Sequence, residues 1–180
     1  AEMSRTIDAL APYIARGLPV LGLEPSCLLT LRDEFLSVLP GEASAALARN
    51  AMLLEEYLAA EHEAGRLELN LGAGGDVLLH GHCHQKAHQT MAAMTNTLDL
   101  LPDSNIETVQ SSCCGMAGAF GYGADTYEVS QAMGEASLLP AVRGVASTTT
   151  LIANGTSCRQ QIKHGSGREA VHMVQLLRRA

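Results

Sequence analysis

The fold is decided by the stretch Ser111-Ser112-Cys113-Cys114-Gly115-Met116-Ala117-Gly118-Ala119-Phe120-Gly121, in which two adjacent cysteines open a glycine-rich run. Adjacent cysteines within one strand or helix form a poor disulfide, because the bond requires their Cβ atoms to converge. They can instead offer two thiolates from one turn to a polynuclear metal centre. Glycines such as Gly115 and Gly118 let a bulky cluster approach the backbone, whose N–H groups can donate to sulfur. The alternative is two small core residues beside a flexible turn, since unpaired cysteine is often simply buried.

Composition limits the possible partners and the kind of core. The 180 residues suit one domain or one and a half, and 47% of them are hydrophobic. Only 3% are aromatic and Trp is absent, so the core must consist of Ala, Leu, Val, Ile and Met side chains. The net charge of −7 argues against nucleic acid or an anionic membrane surface as a partner, because either favours a basic face.

Cysteine usage indicates the cellular compartment. Five cysteines are an odd number, and apart from one adjacent pair they lie far from each other in the sequence. This pattern is typical of a reducing compartment, in which thiols are free or act as ligands. No apolar run reaches the roughly 18 residues that span a bilayer, and no signal-peptide pattern is visible. We therefore expect a cytoplasmic location without a transmembrane segment.

Hydrophobic periodicity predicts alternating strands and helices. The predicted strands lie at 18–23, 66–71, 76–80, 105–110 and 148–153; the first is expected to be buried and the second half-exposed. The predicted helices are an N-terminal amphipathic segment, a helix capped by Ser26, a long helix over 43–64, and three more over 86–97, 127–139 and 168–179. Pro140 is expected to stop the helix that precedes it.

The recurring order of strand, cysteine-bearing turn and helix predicts an α/β fold with a mostly parallel sheet and flanking helices. In open parallel sheets, ligands bind at the carboxyl ends of the strands. All the cysteines fall at or just after the ends of predicted strands: Cys27, Cys83, Cys113, Cys114 and Cys158. Core cysteines placed at random would rarely do so, and the sequence therefore favours a ligand site at this edge of the sheet.

A partial internal repeat indicates two modules. Val20-Leu21-Gly22-Leu23-Glu24-Pro25-Ser26-Cys27 and Leu151-Ile152-Ala153-Asn154-Gly155-Thr156-Ser157-Cys158 share an apolar strand, a short turn and Ser-Cys at a helix start. The second copy has upstream cysteine partners in this chain, and the first has none. We expect residues 1–70 to be the C-terminal remainder of a first cysteine-rich module and 71–180 to be a complete second module of a larger protein.

Four thiols of the second module have spacings that favour a cluster. Cys83, the adjacent pair and Cys158 come from three strand ends, and four soft thiolates select zinc or an iron–sulfur cluster. Structural zinc usually takes its ligands in short pairs such as C-x₂-C, and no two cysteines here have that spacing. The positive end of the helix that begins near Cys158 favours the thiolate form. Zinc remains the alternative occupant.

These motifs resemble the CCG-type cysteine-rich module of iron–sulfur oxidoreductases, such as the B subunit of heterodisulfide reductase and the C subunit of anaerobic glycerol-3-phosphate dehydrogenase. Gly81-His82-Cys83-His84-Gln85-Lys86 fits the first part of the family pattern, and Ser111-Ser112-Cys113-Cys114-Gly115-Met116-Ala117-Gly118 fits the second. The third part departs from it, because Gly155-Thr156-Ser157-Cys158 keeps only the second cysteine of a Cys-x-x-Cys pair. The resemblance then favours four thiolates around one [4Fe–4S] cluster over a five-thiolate arrangement.

The amino-acid sequences of these motifs most resemble those in the C-terminal iron–sulfur half of FAD-linked D-2-hydroxyacid dehydrogenases, of the D-lactate or D-2-hydroxyglutarate type. The resemblance implies that FAD and the substrate site lie in a missing N-terminal part, so no catalytic residue is assigned in this chain. It implies electron transfer from the flavin-binding half through the cluster to a quinone or another carrier. Peripheral contact with the inner face of the membrane is a further expectation. The implied metal ligands are Cys83, Cys113, Cys114 and Cys158, with Cys27 a ligand of the other module's cluster.

Charged and imidazole side chains near the cysteines have two interpretations each. His82 and His84 are expected to point away from Cys83; they are either donors or replacement ligands at the cofactor, or ordinary polar residues at the mouth of the site. His80, within the strand, is expected to be a core histidine with its hydrogen bonds satisfied. Lys86 and Arg159 either offset the charge of a thiolate cluster or lie on helix surfaces.

Two other function classes remain open at this stage. The first is a zinc-stabilised or apo α/β interaction module without redox activity. The second is a thiol enzyme with one of the adjacent cysteines as nucleophile, which requires a base such as His82 or His84 within hydrogen-bond reach.

Overall fold

The computed structural model describes all residues from 1 to 180 and has the expected α/β architecture, with parallel sheets flanked by helices. The chain divides into two compact units, Ala1–Leu67 and Glu68–Ala180. This division lies three residues from the boundary expected from the repeat. The identification of the units as a partial and a complete cysteine-rich module remains a prediction.

The first unit contains five helices around a short sheet. The helices are α1 Glu2–Ile14, α2 Pro25–Thr30, α3 Glu34–Val38, α4 Glu42–Asn50 and α5 Leu54–Glu63. Strands β1 Val20–Gly22 and β2 Ala51–Leu53 pair in parallel. Leu28 and Leu29 pack with Ala51 and Leu53 of β2 in one buried cluster, and Leu47 packs with Ile7 and Phe35 in a second one.

The second unit has a four-stranded parallel sheet of order β4-β3-β5-β6. The strands are β3 Gly75–Leu79, β4 Ser104–Thr108, β5 Thr150–Ile152 and β6 Ala170–Val171. The helices are α6 Cys83–Ala87, α7 Met91–Leu98, α8 Tyr127–Glu135, α9 Leu138–Gly144, α10 Thr156–Ser166 and α11 Met173–Arg179, with a 3₁₀ turn at Phe120–Tyr122. No helix of the chain combines the length and hydropathy that crossing a bilayer requires.

The central strand β3 is flanked by β4 and β5, and both pairings are parallel. Its side chains alternate between the two faces, so Leu78 and Leu79 enter the core on opposite sides of the sheet. Leu78 belongs to a buried cluster that also contains Leu151, Ile162 and the thiols of Cys114 and Cys158. Two of the candidate ligands are therefore anchored in the hydrophobic core itself.

Two predictions in the first unit were wrong. The helix expected over 43–64 is interrupted by β2, because Ala51-Met52-Leu53 pairs with β1 instead of continuing α4. The strand expected to be buried at 18–23 is reduced to β1, and its Leu21 is 42% exposed. Both errors have one origin, since a three-residue parallel pair is too short to leave a periodic signal in the sequence.

The strand expected at 66–71 is also absent, although the sequence alternates strictly there. The segment spans the boundary between the two units, and Leu69 is 46% exposed. An alternating pattern forms a strand only where a neighbouring strand accepts its backbone hydrogen bonds.

Helix boundaries in the second unit differ from the sequence prediction at three places. The helix expected over 86–97 is split into α6 and α7 by Gln89, which has a left-handed φ of 58°. Pro140 does not stop a helix; it lies in the first turn of α9, where its missing N–H costs nothing. The first part of the predicted C-terminal helix instead contains β6, a strand of two residues that pairs with β5. The helix α11 therefore begins only at Met173.

Core packing predicts a large difference between two identical substitutions in the second unit. Leu79→Ala removes a fully buried side chain from the central strand and should lower the free energy of unfolding by roughly 2–5 kcal/mol. Leu69→Ala, at an exposed position, should change it by less than about 0.5 kcal/mol. Urea unfolding followed by circular dichroism measures both. Equal effects would show that the sheet of the second unit is not its stabilising core.

Candidate metal centre

Four thiols meet at the carboxyl edge of the second sheet. Cys83 follows β3, Cys113 and Cys114 follow β4, and Cys158 lies in the first turn of α10 after β5. The sulfur atoms of Cys114 and Cys158 lie within 4.8 Å of each other. Cys83 and Cys113 are close enough to act electrostatically on each other and on Cys158. Cys114 and Cys158 are buried, whereas the other two thiols are partly exposed. The structure thus brings together four of the five predicted ligands, whose role as ligands stays a prediction.

Cys83 is positioned by the capping of α6. The imidazole Nδ1 of His82 accepts the backbone N–H of His84 at 3.2 Å, and the side-chain oxygen of Gln85 accepts the N–H of His82 at 3.0 Å. This reciprocal arrangement satisfies two backbone donors at the helix start. Gln85 is fully buried and its amide also reaches the sulfur of Met94. The position of Cys83, the first residue of α6, is therefore fixed by the helix cap.

The turn that carries the adjacent cysteines requires a glycine. Gly115 has a φ of +92°, and a Cβ there would lie 2.3 Å from the carbonyl oxygen of Ser130. That carbonyl accepts a hydrogen bond from the buried amide of Gln161 on α10. The N–H of Gly115 donates to the sulfur of Cys113 at 3.3 Å, which is the type of contact expected from the sequence. Gly118 also has a positive φ but faces open space, so its contact with a cofactor stays a prediction.

The turn after β5 packs tightly against the first cysteine segment. A Cβ at Gly155 would lie 2.3 Å from Cδ2 of His82 and 3.3 Å from the sulfur of Cys158. Arg159 donates from its guanidinium to the carbonyl oxygens of Ala153 and Asn154 at 2.9 and 2.6 Å. Its positive charge therefore binds the end of the strand, and we assign it to holding this turn.

The histidines differ from their predicted orientations. His82 does not point away from Cys83, because its Nδ1 lies 3.9 Å from the sulfur. The rings of His82 and His84 stack with centroids 5.2 Å apart, and the ligand atoms of His82, Cys83 and His84 all lie within 4.8 Å of one another. The helix cap causes this orientation, since it turns the His82 ring back over the first turn of α6. Their contact with a cofactor stays a prediction.

His80 is not the satisfied core histidine that the sequence predicted. It is 2% exposed, and its Nδ1 lies 3.0 Å from the hydroxyl of Ser111. Its Nε2 is buried without a hydrogen-bond partner. The ligand atoms of His80, Cys114 and Cys158 lie within 4.8 Å of one another. One feature of the sequence could have indicated that His80 belongs to the site: it lies at a strand end, three residues before a cysteine.

Lys86 provides positive charge beside the thiols. Its ammonium donates to the carbonyl and hydroxyl oxygens of Ser111 and to the carbonyl of Ser112. Burial lowers the pKa of Lys86, and the negative charge of the four cysteines acts against this shift. Of the two interpretations open for this residue, its location favours compensation of thiolate charge.

The thiols share protons in pairs. Contact with Cys158 lowers the pKa of Cys114, whereas contact with Cys114 and burial raise the pKa of Cys158. Between these two pKa values the pair carries one proton and one negative charge. Burial and the nearby Cys113 raise the pKa of Cys83. Binding of a cationic metal at this edge would therefore displace protons from at least two thiols.

Cys27 is separate from these ligands. It lies in α2 of the first unit, where it is exposed and is the only cysteine. Its role as a ligand of a further cluster stays a prediction.

The residues present at the sheet edge fit a thiolate-bound metal. Four soft sulfur ligands converge, a glycine N–H points at one of them, and a buried imidazole nitrogen beside two others lacks a partner. Such a donor set suits zinc or an iron–sulfur cluster and is foreign to Mg²⁺ or Ca²⁺, which prefer oxygen ligands.

Sequence comparison identifies relatives among dehydrogenases. The chain is 31% identical over 174 residues to D-2-hydroxyglutarate dehydrogenase of Escherichia coli (strain K12), a match that covers 96% of this chain and 16% of that protein. It is 26% identical over 170 residues to the C subunit of anaerobic glycerol-3-phosphate dehydrogenase from the same strain, covering 92% of this chain and 41% of the relative. A D-2-hydroxyglutarate dehydrogenase of Pseudomonas putida is 27% identical over 164 residues. No family model and no solved structure matches the chain.

These matches confirm the resemblance that the cysteine motifs indicated, since both kinds of relative are oxidoreductases of the groups named from the motifs. The chain spans about a sixth of the D-2-hydroxyglutarate dehydrogenases and about two fifths of the relative from glycerol-3-phosphate dehydrogenase.

The geometry of the cysteine turn predicts unequal effects for two glycine substitutions. Both Gly115 and Gly118 have positive φ, so alanine costs about 1–3 kcal/mol of backbone strain at either position. Only at Gly115 does the added Cβ also collide with the Ser130 carbonyl. Gly115→Ala should therefore lower the free energy of unfolding more than Gly118→Ala, and should also reduce Zn²⁺ binding measured by competition with a chromophoric chelator. Equal losses for the two variants would contradict the described packing of the turn.

Proposed function

We propose that this chain is the iron–sulfur electron-transfer region of a larger FAD-linked oxidoreductase that oxidises a D-2-hydroxyacid. The observation that carries the proposal is the convergence of Cys83, Cys113, Cys114 and Cys158 at one edge of a parallel sheet. Cys83, the adjacent pair and Cys158 follow three separate strands and do not belong to one small zinc knuckle, which favours a polynuclear centre.

The relatives support the reaction class. Those with the higher identities are named D-2-hydroxyglutarate dehydrogenases, and the other kind is one subunit of a glycerol-3-phosphate dehydrogenase. Both names describe the oxidation of an alcohol carbon in a small acidic metabolite. We infer that the flavin and the substrate site belong to sequence outside this chain, and that the chain alone does not catalyse the oxidation.

The residues of the site have distinct tasks in this proposal. The four cysteines hold the centre, and the Gly115 N–H donates to the Cys113 sulfur. Lys86 offsets the negative charge of the thiolates from its position on Ser111 and Ser112. When bound, a [4Fe–4S] cluster supplies one-electron transfer, which couples a two-electron flavin donor to a one-electron acceptor. Partial exposure of Cys83 and Cys113 leaves one side of the site accessible to a redox partner.

The acceptor and the cellular location follow from the same proposal. A quinone or another one-electron carrier would receive the electrons, and the flavin-binding half would supply them. The odd number and wide spacing of the cysteines favour a reducing compartment such as the cytoplasm, with any membrane contact being peripheral.

A zinc-stabilised interaction module is the second candidate, and one observation favours it. His80 lies with Cys114 and Cys158 in a compact group of ligand atoms, and mixed Cys and His sets are typical of zinc. The thiol-enzyme alternative is weaker. It needs His82 or His84 beside one of the adjacent cysteines, whereas both imidazoles are grouped with Cys83.

Anaerobic reconstitution with iron and sulfide tests the proposal directly. The wild-type chain should bind about four iron and four sulfide ions, the content of one [4Fe–4S] cluster. Cys114→Ser should lose most of both, because it removes a buried thiol that contacts Cys158. Cys27→Ser, which removes an exposed thiol in the other unit, is the matched control and should keep the wild-type content.

Two results of this experiment would contradict the proposal. Stoichiometric zinc binding by a chain that takes up no iron would contradict the electron-transfer proposal and establish the structural module. Loss of iron in Cys27→Ser to the same extent as in Cys114→Ser would contradict the assignment of the ligands.

A further inference from the structure

We propose that His80 donates its Nε2–H to the sulfur atoms of Cys114 and Cys158 in the loaded centre and thereby raises the reduction potential of that centre. The inference rests on the proposed function, because it concerns how one residue of this chain tunes the same site. His80 is a positioning and tuning residue in this account, and the thiols remain the ligands.

The position of His80 is fixed by the sheet. It directly follows the central strand β3, and its backbone N–H donates to the carbonyl of Ile152 on β5 at 2.8 Å. Because β4 and β5 flank β3, the His80 ring lies between the turn that carries Cys114 and the helix start that carries Cys158.

The buried nitrogen requires a partner. Nε2 of His80 has no hydrogen-bond partner, although the residue is only 2% exposed. A buried polar group without a partner destabilises the folded state. A ring nitrogen of His80 and the polarizable sulfur atoms of Cys114 and Cys158 all lie within 4.8 Å of one another. Because Nδ1 contacts the Ser111 hydroxyl, we assign the unpaired Nε2 to the sulfur atoms. Thiolate sulfur that carries more negative charge is the better acceptor, so the interaction strengthens in the reduced centre.

The proton on the ring can be assigned from Ser111. Lys86 carries only donors, and its ammonium donates to the Ser111 hydroxyl oxygen at 3.2 Å. The hydroxyl proton of Ser111 therefore needs a different acceptor, and Nδ1 of His80 is the one within reach, at 3.0 Å. A neutral imidazole that accepts at Nδ1 carries its proton on Nε2. The hydrogen bonds then run from Lys86 to Ser111, from Ser111 to His80, and from His80 to the sulfur atoms, which accept.

This order of hydrogen bonds makes His80 a donor to sulfur and not a metal ligand. For Nε2 to bind metal, Nδ1 would have to carry the proton and donate to Ser111, and the Ser111 hydroxyl proton would lose its acceptor. Hydrogen bonds from N–H groups to sulfur stabilise the more negative, reduced state of a metal–thiolate centre, which raises its reduction potential.

The test compares four versions of the reconstituted chain: wild type, His80→Leu, His80→Gln and His164→Ala. His164 is an exposed histidine on α10 of the same unit and is the control. Iron and sulfide are counted first, and the midpoint potential is then measured by redox titration with electron paramagnetic resonance. His80→Leu should keep its iron, and the ratio of reduced to oxidised centre at a fixed solution potential should fall about tenfold, which is about 59 mV for one electron.

Two further results sharpen the expectation. His80→Gln, whose amide keeps an N–H donor, should recover part of the shift, and His164→Ala should behave as wild type. Chains labelled with ¹⁵N-histidine should show the weak hyperfine coupling of a hydrogen-bonded nitrogen in wild type, and none in His80→Leu. If His80→Leu does not fold, Ser111→Ala provides the test. It removes the hydroxyl that donates to Nδ1 and so keeps the ring proton on Nε2. The midpoint potential should therefore fall, as in His80→Leu.

Failure of this inference and failure of the proposed function give different results. An unchanged potential in variants that keep their iron would overturn this inference and leave the proposed function intact. Strong ¹⁵N coupling with loss of iron in His80→Leu would make His80 a ligand and overturn its role as a donor. A wild-type chain that binds no iron would overturn the proposed function, and this inference with it.

Discussion

The parallel pairing of β3 with β4 on one side and β5 on the other is the constraint on which the site depends. It aligns three carboxyl strand ends and so brings together cysteines that are tens of residues apart in the sequence. A helix cap positions Cys83, a glycine turn positions Cys113 and Cys114, and the start of α10 positions Cys158. Since Cys114 and Cys158 also belong to the hydrophobic core, the packing that stabilises the second unit also places two of its candidate ligands.

The cost of this arrangement is local and electrostatic. Clustered thiols oppose each other's ionisation, and a buried imidazole nitrogen remains without a partner. Lys86 and the Gly115 N–H offset part of this cost through positive charge and a hydrogen bond to sulfur. Sites that concentrate perturbed titratable groups are more often functional than structural. The same features are unfavourable for a mere folding core, which would be better served by aliphatic side chains at these positions.

Sequence patterns predicted the fold class and the convergence of the cysteines, because parallel sheets leave strong signals: apolar strands, turns and helices in regular order. They failed where the deciding interaction was short or distant in sequence. The pairing of Ala51-Met52-Leu53 with β1 involves three residues, and the alternating segment at 66–71 has no strand to pair with. The orientation of His82 depends on a helix cap formed with Gln85. The proximity of the His80 ring to two sulfur atoms depends on which strands flank β3. Neither can be deduced from residue spacing alone.

The proposed function requires that one polynuclear iron centre is held by four thiolates, those of Cys83, Cys113, Cys114 and Cys158. Iron K-edge X-ray absorption of the anaerobically reconstituted chain tests it most directly, because it reports both the ligand atoms and the neighbouring metals. We expect a first shell dominated by sulfur, together with a second shell of iron at short distance. A single iron without iron neighbours, or a first shell of oxygen and nitrogen, would contradict it.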